Sequence, residues 1–94
     1  PILEAAKLNL PVLDADTMGR AFPETQMTSC HLVQSCPSPG FITDCLGNTT
    51  VIYSSNTHTL EKIGRQVCVA MGSIAAFGFF PLTAAEVEKS TFPK

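Results

Sequence analysis

The stretch over residues 59–71 reads TLEKIGRQVCVAM and carries the most regular pattern of apolar and charged residues in the chain. Charged residues such as Glu61 and Arg65 fall on one face of a helix drawn through it, and apolar or small residues fall on the other. The second face recurs at steps of three and four residues and consists of Leu60, Ile63, Gly64, Val67, Cys68 and Met71. Asn56 or Thr57 can cap the start, and Gly72 can end it. The pattern predicts an amphipathic helix over residues 59–71 that packs on a sheet.

Strand patterns flank this helix. Residues 41–45 and 49–54 predict a hairpin around Leu46-Gly47-Asn48, and the apolar run 73–80 predicts a fully buried strand. A helix between two strands predicts a right-handed crossover over residues 51–79, with its two strands parallel. The sequence Thr83-Ala84-Ala85-Glu86 is a capping box that begins a last short helix. The expected fold class is α/β, with a mixed sheet, a strand–helix–strand crossover and a hairpin.

The first third of the chain is more varied. A helix is expected to end at Leu8, closed by a left-handed Asn9 and followed by Pro11. A strand over 10–16, a short helical piece near 21–26 and a β-like segment over 28–34 are expected next. The chain begins with Pro1 and with what reads as the second half of a helix. Residues 1–94 are therefore interpreted as a single partial domain of a longer protein.

Composition excludes several classes of protein. Only 15% of the residues are charged and the net charge is −2, which gives no basis for binding nucleic acid or an anionic membrane. No apolar run approaches the roughly 20 residues of a membrane span. The four cysteines form no CxxC pair, and free thiols in a cytoplasmic protein are expected. Cys30 and His31 are expected on opposite faces of a strand, which argues against a nucleophile–base pair.

The polar chemistry is concentrated in residues 14–27, which read DADTMGRAFPETQM. On a strand, Asp14 and Asp16 would share a face, so a cation or a donor between them would keep both charged. Arg20 and Glu24 could pair if the residues between them are helical. Three interpretations follow: Arg20 is a structural clamp for the acids, the four residues form a substrate site, or Asp14, Asp16 and Glu24 bind a divalent metal.

The same run resembles the signature of the S-methyl-thiohydantoin desulfurase-like family, which is associated with hydantoinases and oxoprolinases. Downstream segments at 44–52, 61–73 and 80–87 resemble that family's hairpin, long helix and next strand-to-helix junction. Family members are several times longer than this chain, which agrees with its being an internal piece of a larger protein.

The resemblance implies a hydrolase-like enzyme that acts on hydantoin-type cyclic amides or on S-methyl-thiohydantoin. Asp14 or Asp16 would activate water, Arg20 would polarise a carbonyl or hold an oxyanion, and Glu24 would complete the catalytic set. The partners would be the cyclic amide and the rest of the full-length chain or a hydantoinase-like subunit, with no nucleic acid and no membrane. No cofactor is identified. The alternative is a non-catalytic domain that supports a hydantoinase-like partner.

Overall fold

A computed structural model of the chain describes residues 2–21, 23–33 and 37–93. Helices and short strands alternate along these residues, so the α/β class predicted from the sequence is confirmed. In chain order the elements are α1 (Ile2–Leu8), β1 (Ala15–Asp16), a 3-10 helix (Thr25–Met27), α2 (Cys30–Val33), β2 (Gly40–Thr43), β3 (Thr49–Ile52), α3 (Thr57–Ala70), β4 (Ala76–Gly78), α4 (Ala84–Ser90) and β5 (Phe92–Pro93).

The larger sheet has the strand order β3-β2-β4, and β2 runs antiparallel to both of its neighbours. Phe41 in β2 lies opposite Val51 of β3 on one side and Gly78 of β4 on the other. The predicted hairpin is therefore confirmed. The strands β3 and β4 run in the same direction, as the strand–helix–strand prediction requires, but β2 lies between them.

Helix α3 and this sheet share the core. Leu60 is 0% exposed and packs against Ile42 of β2 and Ile52 of β3. Around this centre lie the partly buried side chains of Val67, Met71, Ala75, Phe77 and Phe79. Gly40 permits the close approach of helix and sheet, since a Cβ there would lie 2.9 Å from Leu60 Cδ1.

In β3 the side chain of Ile52 points into the core, whereas Val51 is 48% exposed. Successive side chains of a strand point to opposite faces, so only one of the two can pack against the helix. The run 73–80 differs from its prediction, because only Ala76–Gly78 is a strand, and Phe77 alone in it is partly buried. As an edge strand covered on one face, β4 does not need to be apolar on both faces.

The predicted helix ends are confirmed. Asn56 Oδ1 accepts the Thr59 N–H at 2.8 Å at the start of α3, and Gly72 follows its end with φ +91°. Asn9 closes α1 with φ +53°. At the start of α4, Glu86 Oε2 accepts the N–H and the hydroxyl of Thr83 at 2.7 Å each. These hydrogen bonds, the backbone one first, lower the pKa of Glu86 below its ordinary value.

Two predicted strands are wrong. The strand expected over 10–16 is reduced to Ala15–Asp16, which pairs with β5, and the apolar side chains before it have no strand to pair with among the described residues. The β-like segment expected over 28–34 is helical at Cys30–Val33, while residue 34 lies outside the described residues. Thr28 and Ser29 begin this helix, since their carbonyls accept the N–H groups of His31 and Leu32. Threonine and serine favour helix starts, and this signal prevails over the apparent alternation.

Two further predictions concern thiols and membranes. Cys30, Cys45 and Cys68 are free thiols, and Cys36 lies outside the described residues. Within 2–21, 23–33 and 37–93, none of the helices combines the length and the apolar character needed to cross a bilayer.

The packing of α3 predicts that the same substitution has a large effect on stability at Val67 and a small effect at Val69. Val67→Asp places a charge beside the core and should lower the free energy of unfolding by several kcal/mol, on the order of 3 kcal/mol or more. Val69→Asp makes the same substitution on the same helix, at a side chain that is 62% exposed. It should change the free energy of unfolding by only about 0.5 kcal/mol. Urea unfolding of both variants measures the difference, and equal losses would contradict the packing.

Candidate functional site

The polar motif begins with a turn that Asp16 shapes. Its Oδ1 accepts the backbone N–H groups of Met18 and Gly19, both at 2.9 Å. Gly19 has φ +77°, a left-handed conformation that few other residues adopt readily. Asp16 therefore holds the backbone of the turn through one of its carboxylate oxygens.

Asp14 and Arg20 lie on either side of this turn, and both are exposed. Neither forms a hydrogen bond or an ion pair with another residue in the described part of the chain. The predicted helical pairing of Arg20 with Glu24 is wrong, because the described residues between them are not helical and Glu24 itself is extended (φ −144°, ψ 146°). The structure thus presents Asp14 and Arg20 outward and does not tie Arg20 into a clamp with Asp14 or Glu24.

Glu24 is half-buried and accepts a hydrogen bond from the side-chain amide of Gln26. The metal interpretation required Glu24 to come together with Asp14 and Asp16. Among the described residues no group of three His, Cys, Asp or Glu side chains is arranged to hold a metal ion, so that interpretation is wrong. The three acids instead take separate positions along the loop.

We call residues 14–27 the motif loop. Its end is held by α3. Glu61 Oε2 accepts the backbone N–H of Thr25 at 3.0 Å and also accepts the Thr25 hydroxyl. Glu61 Oε1 pairs with Arg65 Nε at 2.8 Å, and Arg65 Nη2 donates to the Pro23 carbonyl. Thr25 is 2% exposed and the Glu61 side chain is 14% exposed. We call Glu61, Arg65, Pro23 and Thr25 the loop clamp.

The start of the loop has its own attachment. The backbone N–H and the hydroxyl of Ser29 both lie 2.8 Å from the Thr17 carbonyl, and the same hydroxyl contacts the carbonyl of the buried Ser90. The hydroxyl can donate to only one carbonyl at a time, while the backbone N–H of Ser29 donates to Thr17 in either case. Residues 17–25 are thus anchored at both ends, by α2 and α4 at one end and by α3 at the other.

The clamp is not evident from the sequence, in which Glu61 and Arg65 lie on the charged face of the helix. One signal could have indicated the pair: a glutamate four residues before an arginine on a helix in a chain with little charge. The contact of His31 is also not evident, because His31 was expected on a strand; it lies on a helix, and its Nδ1 is 3.0 Å from Thr57 Oγ1. Thr57 is buried in the first turn of α3, so His31 joins α2 to that turn.

Comparison with known proteins identifies one relationship. The sequence model of a family described as S-Me-THD-like, N-terminal domain, matches residues 1–54, more than half of the 94 residues. No curated protein sequence and no solved structure matches the chain significantly. The matched part contains the whole motif loop, whereas Glu61 and Arg65 lie beyond it.

The loop clamp predicts that Glu61→Ala loosens the motif while leaving the rest of the fold in place. The variant leaves the buried N–H of Thr25 without its acceptor, which should cost about 1–3 kcal/mol of stability. Amide hydrogen exchange at Thr25 should accelerate, while exchange in the β2–β3 hairpin should change little. Lys62→Ala, an exposed change on the same helix, is the control. Unchanged protection of the Thr25 amide in Glu61→Ala would contradict the clamp.

Proposed function

Because the chain belongs to the S-methyl-thiohydantoin desulfurase-like family, we propose that it contributes the substrate-facing loop of a hydrolase-like enzyme. The substrate class is the hydantoin-type cyclic amide, with S-methyl-thiohydantoin as the preferred member. The observation that carries the proposal is the geometry of the motif loop. It is anchored at Thr17 and at Thr25, and the Asp14 carboxylate and the Arg20 guanidinium are both exposed.

The residues of the loop fit separate roles. Asp16 has one oxygen engaged by two backbone N–H groups, so it suits the task of holding the turn. Asp14 is exposed and suits the role of the base that removes a proton from water. Arg20 suits the task of holding the ring carbonyl or the negative charge that develops on the ring during attack. Glu24, paired with Gln26, supports the loop from its half-buried side.

The reaction we propose is the displacement of a thiol by water. Asp14 takes a proton from water as the oxygen attacks the ring carbon that carries the S-methyl group. The carbon–sulfur bond then breaks, the proton passes to the departing sulfur, and hydantoin and methanethiol are released. Arg20 stabilises the negatively charged intermediate between the two steps. We further propose that the enzyme is cytoplasmic, in keeping with its free thiols.

A second candidate function is that of a supporting domain in a hydantoinase-like assembly. A run of exposed large apolar side chains near the N-terminus favours it, because isolated domains seldom leave so many uncovered in one segment. These residues are Ile2, Leu3, Leu8, Leu10, Val12 and Leu13. A covering surface, either from the rest of a longer chain or from a hydantoinase-like subunit, would bury them.

The enzyme proposal predicts that Asp14→Asn and Arg20→Ala each lower kcat/KM for S-methyl-thiohydantoin in the full-length protein by about two or more powers of ten. Since neither residue contacts the core, the melting temperature should stay within about 2 °C of the parent. Methanethiol release measures turnover. The matched controls are Glu88→Gln and Lys62→Ala, which make the same kinds of change at exposed helix positions.

Two results would reject this assignment. Full turnover in Asp14→Asn and Arg20→Ala would remove both residues from the reaction. No turnover of either S-methyl-thiohydantoin or hydantoin by the parent protein would leave the supporting-domain function as the better explanation.

A further inference from the structure

A pocket opens between α3 and the larger sheet. Its volume is about 250 Å3 and its walls include Gly64, Cys68 and Phe77. Gly64 lets the aromatic ring approach the helix, since a Cβ at that position would lie 3.2 Å from Phe77 Cζ. Pockets for drug-sized ligands measure about 300–1,000 Å3, so this one suits a smaller ligand such as a single ring.

The two charged residues that line the pocket are Glu61 and Arg65, the same residues that form the loop clamp. Arg65 uses Nε and Nη2 in the clamp, and its Nη1 group donates no hydrogen bond to a described residue. Glu61 Oε1 accepts only the Arg65 Nε–H there, so it retains a lone pair. The pocket therefore combines an apolar interior with one donor group and one acceptor site that no other described residue occupies.

A planar cyclic amide matches this combination. Such a ring places an N–H next to a C=O along one edge, so a guanidinium can donate to the oxygen while a carboxylate accepts the N–H. Its flat faces can pack against the aromatic ring of Phe77. A charged or extended ligand would leave part of the apolar wall unfilled or bury an unpaired charge.

We propose that this pocket binds the ring of a hydantoin-type cyclic amide, with Arg65 donating to a ring carbonyl and Glu61 accepting a ring N–H. The choice of ligand rests on the proposed function. The position does not, because it follows from the pocket and its charged pair alone. Because the clamp attaches Pro23 and Thr25 to the same two side chains, a bound ring would lie beside the anchored end of the motif loop.

Cys68 gives a direct test in the full-length protein, since its thiol lines the pocket and Cys45 in the hairpin is exposed. Alkylation by iodoacetamide would be followed at both thiols by peptide mass spectrometry. With hydantoin at about ten times its dissociation constant, the rate at Cys68 should fall about tenfold, as the unliganded fraction does. The rate at Cys45 should not change. The analogue 1,3-dimethylhydantoin, which has no ring N–H, should protect Cys68 less.

A pair of variants provides a second measurement by calorimetry. Cys68→Leu fills part of the pocket and should weaken hydantoin binding at least about tenfold, whereas Cys68→Ser preserves the space and should bind as the parent does. Bound hydantoin that leaves Cys68 fully reactive, or equal affinity in the folded Cys68→Leu variant, would overturn the proposal.

The test separates this inference from the enzyme proposal. Protection of Cys68 in a protein that turns over no cyclic amide would support the pocket and reject the enzyme. If turnover depends on Asp14 but hydantoin does not protect Cys68 from alkylation, the enzyme proposal is supported and the pocket proposal is overturned.

Discussion

One carboxylate on α3 joins the motif loop to the helix and sheet that form the core. Glu61 accepts two donors from Thr25 and pairs with Arg65, which in turn holds the Pro23 carbonyl. Thr25 is nearly inaccessible to solvent, so its N–H would be orphaned without that acceptor. The helix that packs on the sheet through its apolar face thus fixes the motif loop through its polar face. Both the position of the end of the motif loop and the charged edge of the pocket depend on this arrangement, because the same two side chains form both.

The elements that the sequence predicted correctly are those with strong local signals. Helix α3 has a regular apolar face and an asparagine cap, the β2–β3 hairpin has a glycine turn, and α4 has its capping box. Each of these signals acts over a few residues and has the same physical meaning in most folds. Asn9, which ends α1 in a left-handed conformation, belongs to the same class.

Competing local signals and long-range contacts account for what the sequence did not predict. Residues 28–34 alternate in polarity like a strand, but the helix-start signal of Thr28 and Ser29 prevails and Cys30–Val33 is a helix. Which of Val51 and Ile52 faces Leu60 is set by the pairing of β3 with β2, because a short apolar run does not specify it. The candidate site shows the same division. The concentration of acids and Arg20 was visible in the sequence, but the residue that anchors the loop lies 36 positions beyond Thr25.

Glu61 and Thr25 stabilise each other and thereby join the motif loop to α3. A double-mutant cycle with Thr25→Val and Glu61→Ala, measured by urea unfolding, tests this directly. We expect a coupling free energy of about 1–2 kcal/mol between the two positions. The same cycle between Thr25 and the exposed Lys62 should be additive to within about 0.3–0.5 kcal/mol. Additivity between Thr25 and Glu61 would show that the two residues do not stabilise each other.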